Sequence, residues 1–281
     1  MNVKPLHLAI LIGGIGLVFL LSLLPKYVVS DKEKRIKATE NQIKQELVVD
    51  NSNHQSEKYN AETAAKLTKQ ISTEKNITVK FALIDSLGLL FKNAFMLDSS
   101  ANLYNKFAYL DKKYYILSVR DGLTGFQMSQ EDDKKKYYQT LCQNVIDQGF
   151  KKDPDFLDLK VEELRFKTLA SAYNKQAPMQ WVGELKTLVE KNPKLISGQI
   201  ALAEFYTTVG KIDEAILRYK QVIENEKDNL QAHLELVNLY LQKSENNSAK
   251  KHLLILQELN KDTKDSFIED FVNKSLKKLQ Q

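Results

Sequence analysis

The stretch at residues 210–229, GKIDEAILRYKQVIENEKDN, decides the fold class. Its apolar side chains recur at helical spacing and predict one apolar stripe on an amphipathic helix, formed by Ala215, Ile216, Tyr219, Val222 and Ile223. Asp213 stands where an N-cap residue is expected, just ahead of this stripe. Because a single helix cannot bury such a stripe, the pattern predicts that the segment packs on neighbouring helices.

The same pattern returns 34 residues later. When Gly210 is aligned with Ser244, the apolar positions match in the pairs Leu202 and Leu236, Ala203 and Val237, Tyr206 and Tyr240, Ala215 and Ala249, Tyr219 and Leu253, and Val222 and Leu256. Asp213 then aligns with Asn247, and the alignment predicts both as N-caps. A self-match at a fixed period is typical of a stacked array of helical hairpins.

Composition agrees with an all-helical chain. Only 10 of the 281 residues are glycine and 5 are proline, and we find no sustained alternation of apolar and polar residues that would predict strands. The formal net charge is +5, with both signs interspersed, so we expect no nucleic-acid surface. Cys142 is the single cysteine, which excludes an intramolecular disulfide, and a buried apolar role is expected for it.

The N-terminal region predicts a membrane anchor within residues 1–30. Residues 8–24, LAILIGGIGLVFLLSLL, form an uncharged run of 17 residues, close to the length that spans a bilayer. A signal peptide cleaved after Ser30 is the alternative, but the run is long for one and Lys26 lies in the cleavage region. More Lys and Arg follow the run than precede it, which predicts a cytoplasmic main domain.

The remaining chain divides into four predicted parts. Residues 31–75 are a polar juxtamembrane helix and linker, 76–161 a diverged helical repeat region, 162–263 the repeats, and 264–281 a C-terminal capping helix. In the cap, Ser266 and Glu269 predict a capping box, and the side chains predicted to cover the end of the stack are Phe267, Phe271 and Leu276.

Between the repeats and the anchor the pattern is weaker. Residues 162–195 fit the repeat if one residue is added in the first helix, and residues 81–114 fit it loosely through Leu87–Gly88, Phe91 and Tyr104. The segment SVRDGLTG at residues 118–125 predicts an interhelical loop, with a binding loop as the less favoured alternative. An amphipathic helix is expected near residues 133–149.

The 34-residue unit resembles the tetratricopeptide repeat. Residues 196–229 carry the resemblance, with a Leu–small pair and an aromatic residue on the first helix, a glycine at the turn, and a small residue followed by an aromatic on the second; these are Leu202–Ala203, Tyr206, Gly210, Ala215 and Tyr219. The resemblance implies an all-α, tetratricopeptide-type helical-repeat solenoid behind a single N-terminal transmembrane helix. The layout is similar to membrane-anchored repeat proteins of bacteria, most of all those of the Bacteroidetes.

The resemblance also implies a groove for a partner polypeptide. In that family, five positions of each first helix line the concave face; here they are Ser197, Ile200, Glu204, Thr207, Thr208, Gln231, Leu234, Asn238, Leu241 and Gln242. We predict that the groove consists of Ile200, Glu204, Thr207, Leu234, Asn238 and Leu241. Ile200 and Glu204 depart from the family's clamp for an acidic tail, so a mixed apolar and amide-binding groove is expected. The alternative is that these residues pack on the neighbouring unit.

The sequence therefore predicts a scaffold or adaptor that binds protein or peptide partners and is held in the cell inner membrane by residues 8–24, as a subunit of a membrane complex. The resemblance implies periplasmic repeats and opposes the charge count; we favour it slightly, and both orientations stay open. A chaperone-like holdase and a cytosol-facing receptor are the alternatives. No enzymatic role, cofactor or metal is expected, since we recognise no catalytic motif and the four histidines, His7, His54, His233 and His252, lie far apart.

Overall fold

The computed structural model describes residues 60–176 and 178–279, and these form twelve helices and no strand. The helices are α1 (Ala61–Thr73), α2 (Ile77–Asn93), α3 (Leu97–Phe107), α4 (Lys113–Met128), α5 (Asp132–Lys152), α6 (Leu157–Tyr173), α7 (Met179–Lys191), α8 (Ile196–Thr208), α9 (Ile212–Asn225), α10 (Leu230–Gln242), α11 (Asn246–Thr263) and α12 (Ser266–Lys278). The chain is all-helical throughout the described part, as the sequence predicts.

Helices of the described part divide between two compact units. The first unit contains described residues 60–166 and the second contains 167–176 and 178–279, so the division falls within α6. Among the twelve helices, none combines the length and the apolar character needed to cross a bilayer. The predicted anchor at residues 8–24 lies outside the described residues.

The second unit repeats with the 34-residue spacing of the sequence. Helices α8 and α10 begin at Ile196 and Leu230, and α9 and α11 begin at Ile212 and Asn246. The stripe of α9 packs into a core cluster with α8, α10 and α11, whose fully buried members include Ala203, Ala215, Tyr219, Leu236 and Ala249. The helices that precede and follow α9 therefore bury its apolar stripe, which a single amphipathic helix could not bury by itself.

Both repeated hairpins turn in the same way. Gly210 and Ser244 have φ angles of 76° and 61°, in the left-handed region. After Gly210, the N–H of Lys211 donates to the carbonyl of Tyr206 at 2.8 Å; after Ser244, the N–H of Glu245 donates to the equivalent carbonyl at 2.8 Å. This pattern is the Schellman motif, which satisfies the last carbonyls of a helix. The α2–α3 and α6–α7 turns repeat it, with Phe95 and Lys175 at φ 58°.

The predicted N-caps of α9 and α11 are wrong by two residues. The caps are Lys211 and Glu245, because the Schellman turn leads straight into the next helix. Asp213 instead lies in the first turn of α9, where its carboxylate pairs with Lys243 at 2.7 Å. Its role is therefore an ion pair between neighbouring hairpins rather than a cap.

Helix α12 closes the end of the second unit. Phe267, Phe271 and Leu276 pack on a cluster from α10, α11 and α12, which confirms the predicted cover. The predicted capping box is wrong by one residue, because Asp265 is the N-cap and its Oδ1 accepts from the N–H groups of Phe267 at 2.9 Å and Ile268 at 3.3 Å. Ser266 is the first residue of the helix.

In the first unit, the loop predicted at residues 118–125 is wrong. These residues lie inside α4, and the helix near residues 133–149 is confirmed as α5. The glycines taken as loop residues bring α4 and α5 close together: a Cβ at Gly122 would lie 2.7 Å from the Cys142 sulfur, and one at Gly125 would collide with the Tyr138 ring. Cys142 is buried, and burial, with the charge of Glu162 as a smaller cause, raises the pKa of its thiol to about 12.

The Gly125→Val variant is expected to unfold with a free energy about 1–3 kcal/mol lower than the unmodified protein, because the side chain of Tyr138 occupies the space it needs. Urea unfolding followed by circular dichroism measures this. Gly183→Ala is the matched control: it lies inside α7 with open space around its Cβ, so it should be stabilising by about 0.5–1 kcal/mol. Equal stability of the two variants would contradict the packing argument.

Candidate functional site

Equivalent faces of α8 and α10 carry the residues predicted to line a partner groove. A side-chain hydrogen bond joins the two helices, in which Gln231 Nε2 donates to Glu204 Oε1 at 3.1 Å. Glu204, Thr207 and Asn238 are partly exposed. We call the accessible surface of these helices the α8–α10 face, made of Glu204, Thr207, Thr208, Asn238 and Gln242.

Hydroxyl and amide groups dominate this face. The Thr207 and Thr208 hydroxyls each donate to the carbonyl four residues earlier, both at 2.9 Å, which leaves their oxygens able to accept. Gln242 is exposed and supplies an amide donor and acceptor. The face can therefore both donate hydrogen bonds to a polypeptide backbone and accept hydrogen bonds from it.

One of the three apolar residues of the predicted groove belongs to the core, and the other two contact it only in part. Leu234 is fully buried among Val237 and Leu253 in the cluster beneath α12, so it offers no surface to a partner. Ile200 and Leu241 pack on the core cluster around α9 but stay partly exposed, as most polar residues of the α8–α10 face do. For Leu234 the alternative interpretation, packing on the neighbouring helices, is the right one, because α12 covers this end of α10.

Sequence reasoning missed Glu235, which lies beneath the α8–α10 face. Its side chain is 1% exposed, and burial raises its pKa to about 7, against the opposing effect of a hydrogen bond with Asn238. Its Oε2 atom has no hydrogen-bond partner among the described residues. The helical spacing to Gln231 and Asn238 places Glu235 on their side of α10, but spacing does not reveal depth.

Two histidines that are distant in sequence meet inside the α10–α11 hairpin. His233 Nδ1 and His252 Nδ1 lie 2.8 Å apart, and His233 Nε2 lies 2.8 Å from the carbonyl oxygen of Lys227. Since a carbonyl only accepts, His233 donates from Nε2, and we assign the shared proton to His252 Nδ1. Tyr240 stacks on His252 with ring centroids 5.7 Å apart and an interplanar angle of 11°.

This histidine pair is neutral at physiological pH. Burial lowers the pKa of His233, and it lowers the pKa of His252 to about 4 with help from the charge of His233. The two side chains are only 2% and 7% exposed, so we assign them a structural role. In the described part of the chain, no group of three or more His, Cys, Asp or Glu side chains is placed to hold a metal ion.

Comparisons with known proteins give no family. No protein-family model and no curated protein matches the chain. Five solved chains match; one of them, titled "MamA RS-1 ArsTM double mutant", is 14% identical, with 66% of this chain and 96% of that chain covered and a TM-score of 0.36. Because similarity at this level does not establish a common fold, the argument for function rests on the residues described above.

Proposed function

We propose that this protein is a membrane-anchored, tetratricopeptide-type scaffold that binds polypeptide partners on the α8–α10 face. The observation that carries the proposal is the repetition of one hairpin at a 34-residue spacing, with the same left-handed turn after α8 and α10. Stacked hairpins of this kind present the same face of each first helix side by side, which suits an extended or helical peptide.

The chemistry of the face narrows the partner. Its accessible groups are hydroxyls, amides and the carboxylate of Glu204. Ile200 and Leu241 on the same helices are partly exposed, whereas Leu234, the third apolar residue of the predicted groove, is buried. A partner held mainly by backbone and polar side-chain hydrogen bonds, with limited apolar contact, therefore fits this face. Such a face favours a scaffold over a holdase, because a holdase needs exposed apolar surface for unfolded clients.

The test is a substitution of Asn238, which is partly exposed and central on the face. The Asn238→Arg protein, purified from membranes with its bound proteins, should recover at least tenfold less partner, because the arginine fills the face and replaces the amide. Leu217→Arg is the control, since Leu217 is 54% exposed on α9. Undiminished recovery with Asn238→Arg, at unchanged helicity, would overturn the assignment.

The anchor and its orientation form a second part of the proposal, supported by the uncharged run at residues 8–24 and its flanking lysines. Protease digestion of intact spheroplasts tests it, with a C-terminal tag to report cleavage within residues 49–60. Cleavage from outside supports periplasmic repeats. Protection until the cells are lysed would reverse the orientation and direct the search for partners to the cytoplasm.

A further inference from the structure

A pocket in the first unit lies between the α2–α3 turn and the α4–α5 turn. It is a cavity of about 400 Å³ with walls of Phe95, Met128, Tyr137 and Tyr138 and with Asp98 and Glu131 also in its lining. A volume of this size lies within the range of specific ligand sites. Neither the repeat pattern nor the proposed scaffold role accounts for it.

Phe95 has an unusual backbone for its type. Its φ of 58° lies in the left-handed region, where a bulky side chain is strained and glycine is not. The same position of the α8–α9 turn is occupied by Gly210. The Phe95 side chain is 50% exposed, so half of its surface lies open. Lys175 and Ser244 take the same conformation in the equivalent turns, so it belongs to the turn type, and the case for a ligand at Phe95 rests on the lining of the pocket.

The aromatic walls are held in place. Tyr137 is 43% exposed, and its hydroxyl accepts a hydrogen bond from Asn102 Nδ2 at 2.7 Å. Tyr138 meets it edge to face, with centroids 5.3 Å apart and an interplanar angle of 68°. Aromatic faces carry partial negative charge and attract cations, so fixed rings around a cavity suit a cationic group.

The carboxylates strengthen the same preference. Burial raises the pKa of Tyr138 to about 12, and the charge of Asp98 is the next largest cause, so the field of Asp98 reaches the pocket wall. Glu131 lies 3.7 Å from Lys134, in an exposed pair that water screens strongly. Of the charged residues that line the pocket, two are acidic and one is basic, and the potential therefore favours a positive ligand.

We propose that this pocket binds an arginine side chain presented by a partner polypeptide, with the guanidinium against the rings of Phe95 and Tyr137 and paired with Asp98. Arginine fits better than lysine because its planar group both stacks on aromatic faces and forms two parallel hydrogen bonds with a carboxylate. The pocket and the α8–α10 face share no residues, so this proposal does not depend on the proposed scaffold role.

The test uses the full chain in detergent and the short peptide acetyl-Gly-Ser-Arg-Ser-Gly-amide, observed through the methyl signal of Met128 in an NMR titration. The arginine peptide should shift this signal to saturation. The same peptide with citrulline, which keeps the shape and removes the charge, should bind at least tenfold more weakly. Equal binding of the two peptides, or tighter binding of a norleucine peptide, would overturn the proposal in favour of an apolar ligand.

Two variants link the binding to the pocket. Asp98→Asn removes the charge, and Phe95→Gly removes the ring while relieving the left-handed backbone. Each should weaken the arginine peptide at least tenfold, and Phe95→Gly should leave the melting temperature unchanged or higher, which separates binding from folding. Tyr109→Ala is the control, because Tyr109 is 63% exposed and lies outside the pocket. If both pocket variants bind the arginine peptide as tightly as the unmodified protein does, the pocket is not the binding site.

Discussion

In the Glu235→Gln variant, we expect the free energy of unfolding of the second unit to fall by about 2–3 kcal/mol between pH 7 and pH 4.5, whereas the unmodified protein should change much less. The reason is that protonation of two buried groups of the α10–α11 hairpin, His252 and Glu235, changes the free energy of unfolding in opposite directions as the pH falls. Removing one of them exposes the effect of the other.

The histidine pair makes the fold sensitive to acid. The pKa of His252 falls from an ordinary 6.5 to about 4 in the folded protein, so the unfolded chain takes up the proton first as the pH falls. Its contribution is complete above pH 6.5 and is lost toward pH 4, at about 1.4 kcal/mol for each pKa unit. Lys220 and Lys251 face His252 and lower its pKa further, while Asp228 opposes the fall at His233.

Glu235 has the opposite effect. Its pKa rises from an ordinary 4.5 to about 7 in the folded protein, so the folded state holds the proton longer as the pH rises. Its contribution is therefore complete below pH 4.5 and is lost as the pH rises to 7. Between pH 4.5 and pH 6.5 the carboxyl and the imidazole offset each other.

Urea unfolding at several pH values measures both effects. Trp181, the single tryptophan, lies in the second unit, so its fluorescence reports the unit that contains the pair. His252→Gln is the reciprocal variant: its amide can still donate to His233, and its stability should rise as the pH falls. A flat pH profile in Glu235→Gln would contradict the assignment of His252 as a buried neutral group.

Replacement of Arg120 by methionine is expected to lower the free energy of unfolding of the first unit by about 3–5 kcal/mol. Glu162 is fully buried, and its Oε1 accepts from Arg120 Nε at 2.5 Å; Arg165 lies farther away, at 3.7 Å from Oε2. Methionine keeps much of the apolar volume but leaves a buried carboxylate short of its closer cation. The loss comes mainly from that charge rather than from packing.

The double variant Arg120→Met, Glu162→Gln separates charge from packing. It should recover more than half of the loss, because the buried charge is gone, and the two single variants complete a double-mutant cycle. Amide hydrogen exchange of α4 and of residues 157–166 in α6 follows the first unit directly. A loss below about 1 kcal/mol in Arg120→Met would show that Arg165 alone compensates Glu162.

Apolar periodicity predicted the hairpins because an apolar stripe such as the one from Ala215 to Val222 is buried by packing against other amphipathic helices. The predictions for the N-caps and for residues 118–125 were wrong because they relied on local residue preferences and not on apolar periodicity. Asp213 and Gly122 have residue types with strong local preferences, and tertiary contacts with Lys243 and Cys142 override them.

The candidate site was predicted less completely. The polar residues of the α8–α10 face follow from the repeat register, but the burial of Leu234 depends on where α12 packs. The histidine pair brings together two positions 19 residues apart, one on each helix of a hairpin. The raised pKa of Glu235 depends on how deeply its side chain is buried. Residue spacing along the chain specifies neither the distance between helices nor the depth of a side chain, so both follow only from the tertiary packing.

The packing of each helix on its neighbours along the chain has a kinetic consequence. Helices that pack extensively within each unit are consecutive along the chain, so most contacts close over short sequence separations. Such low contact order is typical of domains that fold in microseconds to milliseconds. A ribosome adds about 5–20 residues each second, so each hairpin can form long before the next one has been synthesised. We therefore expect the array to assemble during translation from the first described hairpin onward, with α12 closing it last.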